Sequence, residues 1–205
     1  MRWAFGAVAP LIMAIPVLAA AADGNAAAGK AKAEAAGCVA CHGTAGIAAG
    51  AGVAAYQGVP NLAAEPDLFI QFQLVFFRNG VRKNEIMNAT AKSLSDEDIR
   101  NLGAYFASLP ATEPPPGTDP APDETELGGR VANAIHCTNC HGDHYEGVDN
   151  IARLAGQCED YLYKALRDFK SGVRTTTGPV GMADVLYPLG DPEMKALAHY
   201  LSRLR

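Results

Sequence analysis

The chain has 205 residues, which is long enough for one large domain or two small ones, each with its own core. Its apolar fraction of 49% and mean hydropathy of +0.00 exclude a disordered or multi-spanning chain and are typical of a soluble globular protein. A formal net charge of −5, without a basic run, argues against a nucleic-acid-binding protein.

Residues 1–22 have the pattern of an export signal. Arg2 is followed by an uncharged apolar run that contains two prolines and ends in four alanines. A basic start, a hydrophobic middle and a small-residue end predict a signal peptide that is removed on export to the periplasm. An uncleaved membrane anchor is the alternative, since the run is almost long enough to span a bilayer, but its prolines argue against it.

Two six-residue motifs, CVACHG at 38–43 and CTNCHG at 137–142, follow further along the chain. Cysteines at i and i+3 lie close together on a helical turn, where they can reach two vinyl groups of a haem, and the adjacent histidine then points at the iron. The motifs therefore predict two covalently bound haem c groups. The predicted attachment and iron-ligand residues are Cys38, Cys41 and His42 for the first haem, and Cys137, Cys140 and His141 for the second.

Other uses of paired cysteines fit these motifs less well. A zinc ribbon would place its two pairs about 15–20 residues apart, whereas Cys41 and Cys137 are 96 residues apart. A thioredoxin-like redox pair would need a βαβ setting, and the sequence shows none. Structural disulfides suit an exported protein but leave a histidine after both pairs unexplained.

The two halves of the mature chain repeat each other. Segment 62–82 matches 154–174 at an offset of 92 residues, and segment 87–109 matches 182–204 at an offset of 95. Between the halves lies PATEPPPGTDPAP, whose six prolines predict a semi-rigid, extended connector. The expected organisation is a first domain over 23–109, a proline-rich linker over 110–122 and a second domain over 123–205.

Both halves show helical periodicity and no strand-like alternation of useful length, so we expect an all-α fold. The predicted helices span about 25–37, 67–79 and 95–109 in the first domain, and about 126–136, 159–171 and 192–204 in the second. Ser95 and Asp98 resemble a capping box, and Asp191 is predicted to cap the last helix, with Pro192 at its first position. Tyr105 and Tyr200 are expected to pack the last helix of each domain against the first.

The sixth ligand of each iron is predicted to be a methionine. Met87 and Met182 occupy corresponding places in the repeat, each seven residues before a leucine, in a loop expected to fold over the far face of the haem. Gap filling in the core is the alternative for this pair and is the expected role of Met194. Thioether ligation raises the reduction potential and leaves no open site for substrate, so we expect electron transfer and not an enzyme.

The sequence resembles the dihaem cytochrome c4 family in four features. These are the tandem CxxCH domains, the proline-rich joint, the LAAE and LAGQ segments at 62–65 and 154–157, and Met87 followed by Leu94-Ser95-Asp96. The resemblance covers residues 24–205. It implies two class I cytochrome c domains packed face to face, with haem propionates near their interface. It also implies periplasmic electron transport in a respiratory chain, from a cytochrome bc1-type donor to a terminal oxidase or reductase, with peripheral association with membrane complexes. The cytochrome subunit of flavocytochrome sulfide dehydrogenase is built similarly and remains an alternative.

The family pattern includes a proline whose carbonyl accepts the Nδ1 proton of the ligand histidine, and Pro60 fits this role. The second domain has Ala152 there, so we expect His141 to be oriented less firmly than His42. Arg82 and Arg174 follow the same Gly-Val pair in both repeats. Each is either a partner for a haem propionate or a solvated charge at a helix end.

Cys158 is the one cysteine outside the motifs and stands where the first repeat has Pro66. The dipole of the helix that begins there is expected to lower the pKa of its thiol. A cysteine-ligated haem, as in dihaem thiosulfate dehydrogenases, would make the chain an enzyme. A free thiol or a dimer-forming disulfide is favoured, because Met182 already matches the ligand position. The remaining histidines are expected to be surface or packing residues: His136, His144 and His199.

Overall fold

The computed structural model describes residues 23–48, 58–113, 117–175 and 181–205. The predicted signal peptide lies outside the described residues, as do the linker prolines at 114–116. Within the described ranges, no helix is long and apolar enough to cross a membrane. The same ranges contain ten helices and no strand apart from one isolated bridge between Val148 and Ile151, which confirms the all-α fold.

Each repeat contributes five of these helices in the same order. The first repeat has α1 (Ala26–Ala35), α2 (Cys38–His42), α3 (Asp67–Arg78), α4 (Glu85–Lys92) and α5 (Asp96–Ala107). The second has α6 (Pro122–Ala134), α7 (Thr138–His141), α8 (Glu159–Lys170), α9 (Met182–Leu186) and α10 (Asp191–Ser202). Neither α4 nor α9 is predicted from the sequence, because eight and five residues are too few to show a clear helical period.

The predicted capping box at the start of α5 is present. The Ser95 hydroxyl accepts a hydrogen bond from the Asp98 N–H at 3.1 Å, and the Asp98 carboxylate accepts one from the Ser95 N–H at 2.9 Å. These two bonds satisfy backbone donors that the first helical turn leaves without a partner.

The prediction for the last helix is wrong by one residue. Helix α10 begins at Asp191, Gly190 is its N-cap, and Pro192 occupies the second helical position. The Glu193 carboxylate accepts a hydrogen bond from the Gly190 N–H, which explains why the helix starts one residue earlier than the proline alone suggests.

The first and last helices of each repeat cross at a glycine. A Cβ atom on Gly29 of α1 would lie 1.9 Å from a carbonyl oxygen of α5, and one on Gly128 of α6 would lie 2.1 Å from a carbonyl oxygen of α10. Tyr105 and Tyr200 lie at these two crossings, as predicted. The missing side chains let the helix backbones approach this closely.

Each repeat has its own hydrophobic core. The buried residues of the first core are Ala33, Ile70, Leu94, Ile99, Leu102, Tyr105 and Phe106. The second core contains, among others, Val131, Leu162, Leu166, Phe169, Leu186, Leu197 and Leu201. Met194 belongs to this second core and is 5% exposed, which confirms its predicted packing role.

The domains meet through two equivalent contacts related by the repeat. The Asn61 N–H donates to Oε1 of Gln157 at 2.7 Å, and the Arg153 N–H donates to Oε2 of Glu65 at 3.0 Å. With the offset of 92, residue 61 corresponds to 153 and residue 65 to 157, so each domain supplies the same donor and the same acceptor position. The interface therefore has an approximate two-fold axis of the kind found in symmetric dimers.

The carboxyl end of the linker is fastened to the second domain at His199. This imidazole is 4% exposed, and its nitrogens contact the carboxylates of Asp119 at 2.9 Å and Glu159 at 3.0 Å. Burial alone would lower the pKa of His199, but the hydrogen bonds to the two carboxylates outweigh it and raise the pKa. His199 is thus a packing residue, as expected, and carries charge more readily than an ordinary histidine.

Candidate haem sites

Both CxxCH motifs form short helices whose residues line a cavity. Helix α2 carries Cys38, Cys41 and His42, and the residues Cys137 to His141 form the equivalent turn at α7. The two histidines are 7% and 8% exposed. Within the described chain no disulfide joins the motif cysteines, so their sulfur atoms can form the bonds to a haem.

A backbone carbonyl orients each motif histidine. Nδ1 of His42 lies 2.9 Å from the Pro60 oxygen, and Nδ1 of His141 lies 2.8 Å from the Ala152 oxygen. Because a carbonyl only accepts, Nδ1 carries the proton in both rings and Nε2 keeps a lone pair for a metal. The distances are nearly equal, so alanine supplies the same contact as proline, and the weaker orientation expected for His141 is not observed.

Burial also favours the form of histidine that can bind iron. It lowers the pKa of both His42 and His141, although the hydrogen bond to the backbone carbonyl acts in the opposite direction. A lowered pKa keeps the imidazole neutral at physiological pH, as a metal ligand must be.

The structure brings each predicted ligand set to one cavity. The first cavity has a volume of about 220 Å³, and Cys38, Cys41, His42 and Met87 are among its lining residues. The second cavity also has a volume of about 220 Å³, and Cys137, Cys140, His141 and Met182 are among its lining residues. Each apolar cavity thus has the groups that a covalently attached haem requires. They are two thiols, an imidazole whose Nδ1 already bonds a carbonyl, and a thioether.

The predicted loop position of the two methionines is wrong. Met87 lies in α4 and Met182 is the first residue of α9. The Asn84 side chain caps α4 and accepts a hydrogen bond from the Met87 N–H at 2.9 Å. Each methionine therefore belongs to a helical turn.

Each cavity is also lined by the other domain, a feature that sequence reasoning misses. Phe69, Phe72 and Phe76 of α3 reach across to the second cavity. In return, Tyr161 and Lys164 of α8 line the first. The sequence feature that could have indicated this arrangement is the high aromatic content of α3. The core of the first domain does not bury all of these aromatic side chains, since Phe72 is 43% exposed.

Arg82 and Arg174 meet at the domain interface. Both guanidinium groups hydrogen-bond the Gln73 side chain, at 2.7 and 3.2 Å, and the Tyr161 hydroxyl, at 3.0 and 3.4 Å. Each is therefore bonded to both domains and is not simply a solvated charge at a helix end. Burial alone would raise the pKa of Tyr161, but the two guanidinium groups outweigh it and lower the pKa.

Cys158 lies away from both candidate iron sites. It is the N-cap of α8, and its Sγ lies 3.4 Å from Oδ1 of Asn61 in the other domain. It is absent from the lining of either cavity as the structure describes them. The expected lowering of its pKa is wrong. Burial raises the pKa of the thiol, the nearby Asp160 carboxylate raises it further, and the hydrogen bonds that favour the thiolate do not offset them.

Two helical repeats, each with paired thiols and a carbonyl-anchored histidine at one apolar cavity, define a c-type cytochrome with tandem haem domains. Family models agree with this class: the model for subunit III of cbb3-type cytochrome c oxidase matches residues 24–106, and the cytochrome c model matches residues 125–205.

Relatives that match over most of their length identify the family within this class. The chain is 31% identical to cytochrome c4 of Pseudomonas aeruginosa, with 89% of this chain and 90% of the relative covered. It is 34% identical to a thiosulfate dehydrogenase electron acceptor of Thiomonas intermedia, with 82% and 79% covered. The structure matches reduced cytochrome c4 from Pseudomonas stutzeri with a TM-score of 0.75 and 27% identity, over 89% of this chain and 100% of that one. The chain therefore belongs to the dihaem cytochrome c4 family, carries two covalently bound haem c groups and functions in electron transfer.

Proposed function

We propose that this cytochrome is a periplasmic electron carrier in which both irons have histidine and methionine ligands. The first iron is held by His42 and Met87 and the second by His141 and Met182, with thioether bonds from the four motif cysteines. The single observation that carries the assignment is that each cavity is lined by its own predicted set, although the histidine and the methionine of each set are more than 40 residues apart in the chain.

The residues of the chain prepare these sites for electron transfer. Haem c, when bound, supplies an iron that gains and loses one electron. The Pro60 and Ala152 carbonyls fix the two imidazoles, and the apolar cavity walls exclude water from the metal. If the histidine and the methionine of each set both bound the iron, no ligand position would be left for a reactant, which favours charge transfer over catalysis.

The proposed location is the periplasm, and the proposed partners are other redox proteins. The signal-peptide pattern of residues 1–22 supports export, and a chain with residues 23–109 and 123–205 as haem domains would be the mature protein. We propose electron transport from a cytochrome bc1-type donor to a terminal oxidase or reductase, with peripheral association with membrane complexes.

A second candidate is the electron-accepting partner of a dehydrogenase. It is favoured by the 34% identity to the thiosulfate dehydrogenase electron acceptor of Thiomonas intermedia. The two candidates share all haem chemistry and differ in whether the donor is a permanent partner. Purification of the native protein without overexpression separates them: a dehydrogenase that remains bound through gel filtration supports the second candidate.

The ligand assignment is tested by the long-wavelength absorption band of the oxidised protein that marks a methionine–iron bond. We expect Met87→Ala and Met182→Ala each to remove about half of this band, because each variant deletes one of two proposed bonds. Both variants should keep two covalent haems by mass spectrometry, since the thioether bonds are unchanged.

Two further variants serve as controls for the band. Met194→Leu alters a core methionine and should leave the band intact. Cys158→Ser should also leave it intact. If Cys158→Ser changed the spectrum of the second haem while Met182→Ala did not, the second iron would have a cysteine ligand and the chain would be a candidate redox enzyme.

A further inference from the structure

A buried carboxyl group lies between the two haem cavities. Glu65 is 4% exposed and is among the lining residues of both cavities. It belongs to the LAAE segment of the first domain, and among the described residues its carboxylate hydrogen-bonds the second domain alone. Oε2 accepts from the Arg153 N–H at 3.0 Å, and Oε1 accepts from Nε2 of Gln157 at 3.2 Å. It is thus the acidic group shared by both sites.

The two donors leave the negative charge of Glu65 incompletely balanced. Both are neutral amide groups, and the described part of the chain gives Glu65 no ion pair within the 4.0 Å limit for a salt bridge. A carboxylate in such surroundings is costly, because burial penalises the charged form far more than the neutral one.

The second repeat shows what the same position looks like without a charge. Gln157 corresponds to Glu65, and its Oε1 accepts from Asn61 just as Oε2 of Glu65 accepts from Arg153. The other end of Gln157 is a donor, since Nε2 bonds the Asn61 carbonyl at 2.9 Å. In Glu65 both oxygens accept, one from the Arg153 N–H and one from Nε2 of Gln157, so the first repeat places an ionisable carboxyl group where the second repeat has a neutral amide.

We propose that Glu65 is a redox-linked proton-binding group shared by the two haem sites. When the protein accepts one electron from a donor protein, the Glu65 carboxylate takes one proton from solvent and an O–H bond forms. When the electron passes to an acceptor protein, that bond breaks and the proton returns to solvent. The proposal rests on two bound haems and on electron transfer, and not on the identity of the sixth ligands.

The physical cause is the interaction of the carboxylate with the charge at each iron. Adding an electron makes the site more negative, which favours the protonated carboxyl group, and the low-dielectric interface strengthens this coupling. Burial raises the pKa of Glu65 to about 8, against the opposite pull of its two hydrogen bonds and of Arg174 and Arg153. Protonation and electron uptake are therefore coupled close to physiological pH.

The other charged and titratable groups around Glu65 are few. Arg153 precedes the LAGQ segment, Arg174 follows α8, and Tyr161 lies on α8 and connects Arg174 to Arg82 of the first domain. The arginines keep their charge throughout. Haem propionates at this interface would be further negative charges and would raise the pKa of Glu65 in the same direction as burial.

The test is a spectroelectrochemical titration of the holoprotein over a series of pH values. In the wild type, we expect the reduction potentials to fall as pH rises through the range around 8 and to level off on either side. In Glu65→Gln, we expect no such fall. Because the variant is permanently neutral, its potentials should equal those of the wild type at low pH and exceed them at high pH.

The matched control is Glu34→Gln, the same chemical change on the exposed face of α1. It should keep the wild-type pH dependence. A Glu65→Gln protein that also keeps it would overturn the proposal, because the proton would then belong to another group such as a propionate. The methionine–iron band, recorded on the same samples, shows separately whether the ligand assignment holds.

A measurement on the unmodified protein covers the case in which Glu65→Gln does not fold. Reduction in weak buffer with an indicator dye should take up protons, to a maximum of one per molecule, with the largest uptake at pH values around 8. The reduced-minus-oxidised infrared spectrum should gain the carbonyl band of a protonated carboxylic acid. Reduction without proton uptake would contradict the proposal.

Discussion

At the scale of single residues, the contact between His141 and Ala152 shows what the histidine of a CxxCH motif requires from the backbone. The second repeat forms this hydrogen bond at 2.8 Å without a proline, and the first forms it at 2.9 Å with one. Both rings need a carbonyl at the right place, and the residue that provides the carbonyl matters less. The proline contributes mainly by restricting the unfolded chain.

This view predicts a mild effect for Pro60→Ala. The variant should keep the bond to His42 and two covalent haems, while the free energy of unfolding falls by about 0.4–1 kcal/mol. Chemical denaturation gives the free energy, and haem staining with absorption spectra gives the haem content. Loss of the first haem would show that the ring of Pro60, and not only its carbonyl, holds His42 in place.

Single residues also show where prediction from sequence fails. The helix N-terminus at Cys158 suggests a reactive thiol, but in the structure burial between the domains dominates and raises the pKa. Burial depends on which surfaces meet, and the periodicity of one chain does not contain that information. The same reason applies to Glu65, which looks like a minor departure from LAGQ until its position between two cavities is known.

At the scale of helices, the glycine crossings determine how closely the first and last helices pack. Gly128→Ala should lower the free energy of unfolding by about 1–3 kcal/mol, because the new methyl group would overlap the α10 backbone. Denaturant unfolding of the holoprotein measures the change.

The adjacent Gly129→Ala is the matched control for this substitution. Its new Cβ would lie 3.4 Å from the Tyr200 ring, an ordinary contact, so the variant should be neutral or more stable by up to about 1 kcal/mol. Equal destabilisation by both variants would mean that the crossing is not the limiting contact.

The contacts of His199 with the carboxyl end of the linker should make the stability of the second domain depend on pH. His199 has a raised folded-state pKa, so its stabilising contribution is complete below the unfolded value of about 6.5 and is lost as pH rises through the folded value. The groups that face it are Asp119 on the linker, Glu159 on α8 and Glu124 on α6, with Arg203 of α10 3.5 Å from Asp119.

Thermal unfolding at a series of pH values measures this contribution. Relative to the wild type, His199→Gln should lose stability at pH 6 and below, and the difference should shrink as pH rises. His144→Gln, on an exposed histidine, should follow the wild type at all pH values. A constant difference between His199→Gln and wild type would assign the effect of the substitution to packing instead of charge.

At the scale of the whole molecule, the internal repeat made much of the fold predictable. Two CxxCH motifs and the constant offsets between 62–82 and 154–174 indicate two copies of one helical unit, and the strongly periodic helices α3, α5, α8 and α10 lie within one or two residues of their predicted ends. The short helices α4 and α9 were not predictable, because their few residues show no clear period.

The domain arrangement was predictable only through family resemblance. Nothing in the helical period of α3 indicates that Phe69, Phe72 and Phe76 line the cavity of the other domain. The contacts of Asn61 with Gln157 join residues 96 positions apart and depend on the path of the chain between them. Patterns within one sequence identify faces of helices, but they do not identify which faces meet.

Helix α3 lines the cavity of the second domain and α8 lines that of the first, and this has a consequence for how the two halves evolved. A duplicated unit starts as two independent copies, but here each copy has come to complete the other's interior. If the first domain were replaced by that of a relative, the new α3 would line the haem cavity of the unchanged second domain. Side chains of α3 that do not fit this cavity would disturb the packing around the second haem. Chimaeras of such cytochromes should therefore succeed only when whole pairs of facing helices are inherited together.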